Sequence, residues 1–450
     1  MIHNLDIPIE GLDSQCIGGI WHKSSDDLQP VVSPANEQII TRTALPTIAN
    51  ADHAVQLARH AFDHGPWPEL SIDERVRHCA RLCDAMESRL PALNRAWALE
   101  SGATITHGEL INDLVGASIW RKMLAMAPDL PWEEQRDDAL LLREPIGTVL
   151  SIMTFNGPII LVAMKIIPAL LAGCTVVGKH APESQLTSRL LSEAVTEANL
   201  PLGVLTLLPA GTEVTQHLVS HPSIDMVSLT GGTAVGIEVV KRTADRLART
   251  TLELGGKSPA IILEDADLEQ TMATLVPGST SYMGQVCVSL SRVLAPASRY
   301  DEVVEALAEK YREIQFGDPL DPNSQQGPMS VERGRIRTEA HVERAKQQGA
   351  RVVTGGRRPP QFDRGWWYEP TLIANADHSM DIIHQEVFGP VTTVVSYSNQ
   401  EEAITLANDS DFGLAASVYS RDEAAAMNVA RQLKSGSVAI NTAGISFMQP

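Results

Sequence analysis

The sequence predicts an α/β protein built from doubly wound, mainly parallel sheets. Three features lead to that prediction. From Leu140 onward, short apolar runs alternate with helical stretches: Thr148–Met153 then 159–172, Thr175–Lys179 then 186–198, 204–208 then 213–220, and 226–229 then 233–247. Strands separated by helices call for right-handed crossovers and a parallel sheet covered on both faces. A second alternating block follows Glu253, so the pattern occurs twice. Finally, 450 residues, 44% of them hydrophobic and 20% charged, suit a globular chain of two or three cores rather than one.

The elements can be taken in order. The first fifty residues are rich in Pro, Asn and Asp and read as an extended, strand-containing lead-in. Helical periodicity begins at Ala51, with Ala54, Val55, Ala58 and Phe62 on its face. Ser71 and Glu74 form a capping-box pattern, and Val76, Cys79, Cys83, Met86 and Leu90 keep the helical period behind it. Further helices are predicted over 91–100 and 110–126. In the second block, Pro259–Leu263 reads as a strand and Leu268 opens a helix. Val288–Pro296 reads as a strand with Arg292 inside it. Helices follow at 300–314 and 331–348, flanking a Gly/Pro-rich loop at 317–328, and Arg351–Thr354 is a strand. The pair Gly255-Gly256 reads as a hinge between the two blocks.

Charge and cysteine usage narrow the function. Lys and Arg total 36 against 55 acidic residues, a formal charge of −19, which argues against a nucleic-acid partner. Five cysteines in so long a chain do not form a disulfide framework, and no Cys/His spacing resembles a zinc site, so no metal is expected. Met1–Glu10 lacks the features of a signal peptide. The longest apolar run, Pro158–Cys174, is broken by Lys165 and is short for a membrane span. The expectation is a cytoplasmic protein without a membrane partner.

Residues able to do chemistry cluster at strand ends. Cys287 follows a Gly-Gln-Val turn and precedes an apolar segment, where a thiol is either a small buried hydrophobe or an exposed, fixed nucleophile. Lys179 ends a strand, and is either solvated or a donor to a ribose or phosphate. Thr230-Gly231-Gly232-Thr233 opens a helix, and its bare N–H groups could hold a pyrophosphate, although this is not the Gly-x-Gly-x-x-Gly fingerprint. Glu253 precedes two glycines and is either a cap or a general base tuned by burial. Asn156, also after a strand, could donate its amide to an oxyanion. Glu386-Val387-Phe388-Gly389-Pro390 alone reads as a turn.

Together, in order and spacing, these clusters resemble the aldehyde dehydrogenase superfamily over almost the whole chain. The most specific pieces are Leu252–Pro259 and Gly284-Gln285-Val286-Cys287 with Arg292 beyond it. Gly19–Trp21, Ser33-Pro34-Ala35 and Arg143–Gly147 add to them. The resemblance implies two doubly wound domains plus a small oligomerisation element. These are an NAD(P)-binding domain over 1–122 and 146–255, a bridging segment over 123–145, and a catalytic domain over 256–450. It implies oxidation of a small-molecule aldehyde to an acid. Cys287 is the nucleophile, Asn156 and the Cys287 N–H bind the oxyanion, and Glu253 activates the water that releases the product. Lys179, Gly211, Gly231, Gly232, Phe155, Glu386 and Phe388 would hold the cofactor, NAD by preference with NADP possible. Gly157, Leu161, Ser281, Val286 and Val288 would line the substrate pocket. A homodimer or homotetramer is implied as well.

The chain departs from the family pattern at several positions. Gly157 and Ser281 stand where relatives carry large side chains, which predicts a roomy tunnel for bulky or aromatic aldehydes. Gly232 replaces a common serine. Pro182 stands where NAD-preferring relatives place an acid, with Glu183 one position later. The sequence stops at Met448-Gln449-Pro450, where the family's interface strand would follow. Glu253 speaks against a reductase acting on an activated acid, and no histidine is spaced to pair with Cys287 as in a thiol hydrolase. A catalytically impaired or structural relative that only binds cofactor is the alternative.

Overall fold

A computed structural model of the chain describes residues 6–24 and 27–443. The expectation attached to Met448-Gln449-Pro450 lies outside the described residues. The lead-in forms two antiparallel hairpins, β1 (Ser14–Ile17) with β2 (Ile20–Lys23) and β3 (Leu28–Val32) with β4 (Ile39–Ala44). The first helix, Ile48–His64, starts three residues before the apolar periodicity does. Thr47 and Asn50 form a reciprocal capping box there, and capping rather than burial sets its start. The Ser71/Glu74 box opens the helix Ile72–Glu87, whose Cys79 and Cys83 are both buried. The helix expected over 110–126 begins at Ile105, because the Thr104 hydroxyl accepts the His107 N–H at 3.3 Å, and it widens to i→i+5 winding over Glu109–Gly116.

A third hairpin, β5 (Glu133–Arg136) with β6 (Ala139–Leu142), lies in the segment expected to bridge subunits. It escaped sequence reading because neither of its faces is buried, so the two-residue alternation that marks a strand has no cause. Leu140, Leu141 and Leu142 are 54%, 40% and 48% exposed.

The first parallel sheet holds β7 (Thr148–Ile152), β8 (Thr175–His180), β9 (Leu205–Pro209), β10 (Met226–Thr230) and β11 (Arg249–Glu253) in the order β11-β10-β7-β8-β9. β7, β8 and β9 are buried along their whole length, so they read as unbroken apolar runs. From β7 the chain winds outward through β8 to β9, then returns to the other side of β7. The crevice between β7 and β10 is therefore the topological switch point, where such sheets bind ligands at their carboxyl ends.

The second sheet holds β12 (Pro259–Ile262), β13 (Arg292–Pro296), β14 (Arg351–Thr354), β15 (Thr371–Ala374), β16 (Val391–Tyr397), β17 (Ala415–Tyr419) and β18 (Ser437–Ile440), ordered β14-β15-β16-β13-β12-β17-β18. Edge strand β14 runs antiparallel to β15, a departure from the parallel pairing expected of alternating strands and helices; the segment between them contains no helix to make a crossover. The strand expected over 288–296 starts only at Arg292. Before it, the Ser289 N–H bonds to Val286 O and the Leu290 N–H to Gly278 O, each at 3.0 Å, which commits these groups to a turn instead of a ladder.

Only Leu254–Ser258 separates β11 from β12. The chain thus steps from the carboxyl edge of the first sheet directly to the amino edge of the second. The glycines read as a hinge are packed here. A Cβ on Gly255 would lie 2.2 Å from Glu386 Oε2, and one on Gly256 2.3 Å from Cys287 O. Their smallness serves close approach rather than flexing. Among the described residues, no helix is long and apolar enough to cross a membrane.

Candidate active site

Two edges meet at the site. Asn156 and Phe155 follow β7, Lys179 is the penultimate residue of β8, Gly231 and Gly232 follow β10, and Glu253 ends β11, all at the carboxyl edge of the first sheet. Cys287 precedes β13, and Glu386 and Phe388 precede its neighbour β16, at the amino edge of the second. The reactive thiol thus stands at the amino end of its own sheet, opposite to the carboxyl-end rule that holds for the first sheet.

The Cys287 loop is fixed from below by Gln285, which is fully buried. Its side chain donates to Tyr282 O at 3.1 Å and accepts the Ser330 N–H at 3.1 Å. Tyr282 and Met283 adopt left-handed backbone, φ 47° and 56°, and the Met283 N–H bonds to Gln326 Oε1 at 3.2 Å. Strain at two non-glycine residues just before Cys287 persists because these side-chain bonds over-determine the loop. Asn156 is held by its amide, which donates to Gln285 O at 2.9 Å, and by the Thr154 hydroxyl, which donates to its Oδ1 at 2.5 Å. The amide carries a second N–H.

Two cavities join at these residues. A chamber of about 630 Å³ is lined by Gly157, Leu161, Ser281, Val286 and Val288 and by Glu253. A cleft of about 400 Å³ is lined by Phe155, Gly231, Gly232, Gly255, Glu386 and Phe388. Asn156, Thr230 and Cys287 line both. Lys179 and Gly211 line neither. Lys179 belongs to β8, the strand beyond β7, and Gly211 precedes the helix Thr212–Ser220 beyond β9. A smaller pocket of about 350 Å³ contains Pro182 and Glu183 and shares Val331 and Arg333 with the cleft. The Glu183 carboxylate is paired there with Arg333.

Burial shapes the charges. The Cys287 thiol is pushed up to about 11, first by burial and then by the carboxylates of Glu386 and Glu253. Burial also raises Glu386, although its Oε1 accepts the Gly256 N–H at 3.1 Å. Burial pushes Lys179 down to about 8 against the opposing pull of Glu183. Glu253 is not the buried carboxylate envisaged for a tuned base: it is exposed, at the end of an edge strand, and faces the chamber.

Sequence reading missed Lys165. It registered only as a charge interrupting an apolar run, yet it lines the chamber, donates to Ser228 Oγ at 3.1 Å, and is pushed down to about 8 by burial against the pull of Glu253. A charge on the inner face of an otherwise apolar helix was the available signal. Also unread was a group of possible metal ligands, His378, His384 and Asp409, with donor atoms within 4.8 Å of one another. Protein partners already engage it: His378 bonds to Asp409 at 2.7 Å and His384 to His378 O at 2.6 Å, and none of the three lines the chamber or the cleft.

A cysteine shared by a cleft at a switch point and an apolar chamber suits an enzyme that joins a bound cofactor to an organic substrate. The chain matches the aldehyde dehydrogenase family over residues 21–449 and belongs to it. It is 38% identical to geranial dehydrogenase of Castellaniella defragrans, over 94% of this chain and 90% of that protein. Among solved structures, it superposes with a TM-score of 0.94 on a Mycobacterium tuberculosis aldehyde dehydrogenase complexed with NAD+, at 39% identity, covering 96% of this chain and 91% of that one. Betaine aldehyde dehydrogenase from Staphylococcus aureus in complex with NAD+ gives the same TM-score at 32% identity, covering 99% and 89%. The chain is therefore an NAD(P)-dependent aldehyde dehydrogenase, which oxidises an aldehyde to a carboxylic acid.

Proposed function

We propose that this chain oxidises bulky, mainly apolar aldehydes, with Cys287 as nucleophile, Asn156 as oxyanion donor, Glu253 as general base, and NAD as the preferred cofactor. The observation that carries the reading is that Cys287 and Asn156 line both the chamber and the cleft. An aldehyde carbon held at the sulfur would face cofactor on one side and its own apolar body on the other.

The cleft fits a dinucleotide. Gly232 opens the helix Thr233–Thr243 in the cleft wall, and a Cβ there would meet nothing within 4 Å, which leaves room for a phosphate at that helix start. Gly231 and Gly232 would hold the pyrophosphate, Lys179 and Glu386 the two riboses, and Phe155 and Phe388, edge to face at 6.3 Å, the nicotinamide region. Related structures are complexed with NAD+, which supports NAD over NADP; the Glu183 carboxylate near Lys179 is itself paired with Arg333. A dinucleotide held there would supply the hydride acceptor that the oxidation needs.

The chain's own residues do the rest. Once its proton has passed to solvent, the Cys287 thiolate forms the C–S bond as the carbonyl electron pair moves onto oxygen. The free Asn156 N–H and the Cys287 backbone N–H stabilise that charge. Loss of hydride leaves a thioester. Glu253 then takes a proton from water, whose oxygen attacks the acyl carbon, and the C–S bond breaks to restore the thiolate. The roomy chamber, with Gly157 and Ser281 in its wall, supports bulky substrates. The exposed Leu140–Leu142 edge supports a homo-oligomer, and five unpaired cysteines support a reducing, cytoplasmic setting.

The test is product formation from short aliphatic to bulky aromatic aldehydes with NAD and NADP separately. Cys287→Ala should abolish it. Glu253→Gln should give a single burst of reduced cofactor followed by turnover slower by about 10²–10⁴-fold. Undiminished turnover in Cys287→Ala would overturn the mechanism. Cofactor binding without turnover of any aldehyde would point to a binding-only relative.

A further inference from the structure

Most of the chamber wall is apolar, with Ile111, Val115, Ile160, Leu161 and Met164 among its residues. Beyond Lys165, Glu253, Asn156 and Cys287, already described in this wall, two further polar residues are paired with each other. His107, on the helix that begins at Ile105, meets Ser281 on the nucleophile loop, Nδ1 to Oγ at 3.3 Å. The histidine ring is stacked on Tyr282 (centroids 5.5 Å, 11° between planes) and packs against Trp97 at 5.5 Å. Tyr282 is in turn fixed by its hydroxyl to Ser101 O at 3.0 Å and to Ser330 Oγ at 2.7 Å. The imidazole therefore cannot turn away without unpacking an aromatic cluster. Burial pushes it down to about 4, so at neutral pH it carries one N–H and one bare nitrogen and no charge.

Several other hydroxyls of the wall are spent locally, whereas Thr230 Oγ1, where the chamber meets the cleft, has no hydrogen-bond partner among the described residues. Ser289 donates to Ser279 O at 3.2 Å and Thr274 to Thr271 O at 3.3 Å. His107 and Ser281 are instead bonded to each other, and among the described residues His107 Nε2 has no hydrogen-bond partner. A neutral donor–acceptor pair held rigid in an apolar wall is what recognition of an uncharged polar group requires. A carboxylate or ammonium there would lose its hydration against an uncharged pair.

We infer that His107 and Ser281 form a specificity-determining pair that selects aldehydes whose apolar body carries a second, uncharged hydroxyl group, phenolic or alcoholic. This deepens the reading of the chamber as the substrate site and rests on it.

The experiment uses matched aldehydes, benzaldehyde against 3- and 4-hydroxybenzaldehyde, and octanal against 8-hydroxyoctanal, with acid product quantified by chromatography. For each protein, the measured quantity is the ratio of kcat/KM for the hydroxylated aldehyde to that for its parent. Dividing the wild-type ratio by a variant's ratio cancels both the electronic effect of the hydroxyl and any general loss of folded enzyme. Variants are His107→Phe, which keeps a ring for the stack, and Ser281→Ala, which removes only a hydroxyl. Loss of one hydrogen bond should lower the ratio by about tenfold for at least one hydroxylated aldehyde in each variant. A larger effect in the aromatic pairs assigns a phenol, and in the aliphatic pair an alcohol. An unchanged ratio in Ser281→Ala, or in both variants, overturns the inference while leaving the dehydrogenase reading intact. Failure of the wild-type protein to oxidise even the parent aldehydes would overturn the substrate reading, and the inference with it.

Discussion

In the cofactor-free protein, Cys287 should be a resting thiol rather than a preformed thiolate. Burial is the largest cause, and the Glu386 and Glu253 carboxylates add to it, together placing the thiol at about 11 against an ordinary 9.0. At pH 7.5 the thiolate fraction is then ~3 × 10⁻⁴, roughly a hundredfold below that of an unperturbed thiol. Alkylation by iodoacetamide, followed by mass spectrometry on the Cys287 peptide, reads this directly. The rate should rise about tenfold per pH unit from pH 7 with no plateau before about pH 10. The direction follows from charge: both burial and neighbouring carboxylates disfavour the anion, so raising pH must accelerate the reaction. Glu386→Gln removes one of those negative charges and should speed alkylation at fixed pH. A melting curve at each pH separates titration from unfolding. The four remaining cysteines are buried and serve as a slow internal reference. A plateau below pH 9 would show that the loop already stabilises the thiolate and refute the burial argument. A rate indifferent to Glu386→Gln would remove that carboxylate as a cause.

Three further outcomes follow from packing. Gly255→Ala places a methyl where Glu386 Oε2 now lies, 2.2 Å away, so the carboxylate must move; the KM for NAD should rise by about tenfold or more, read by cofactor titration. Arg292 is fully buried and donates to Leu406 O and Ala407 O at 2.6 and 2.7 Å. Arg292→Leu leaves both carbonyls without those donors and should cost about 2–4 kcal/mol, seen as a lower melting temperature. Gly157→Phe should fill part of the chamber, lowering kcat/KM for aromatic aldehydes at least tenfold while sparing the shortest aliphatic ones.

The limits of sequence reading show in particular residues. Alone, Cys287 reads as a buried thiol and Glu253 as a cap as readily as either reads as a reactive group; it was their order and spacing with Asn156 and the other clusters that carried the resemblance behind their proposed roles. Lys165 was not identifiable, because what matters about it is a contact with Ser228, 63 positions away. The helix start at Ile48 was obscured because Thr47 caps it one turn before its buried face begins. The β5–β6 hairpin was invisible because its strands bury neither face.

The sequence by itself determined the α/β alternation, since burial on both faces of a central strand demands an unbroken apolar run and its crossover demands a helix. It also supplied the candidates for the reactive groups, through their order and spacing along the chain. Only the tertiary structure decided how these groups meet. The short link Leu254–Ser258 sets the carboxyl edge of one sheet against the amino edge of the other, so residues from Asn156 to Glu386 share one crevice. It likewise decided that His107 reaches Ser281, 174 positions away, inside the chamber wall. Periodicity reports which side of an element is buried. It carries no record of which distant side chain is buried against it.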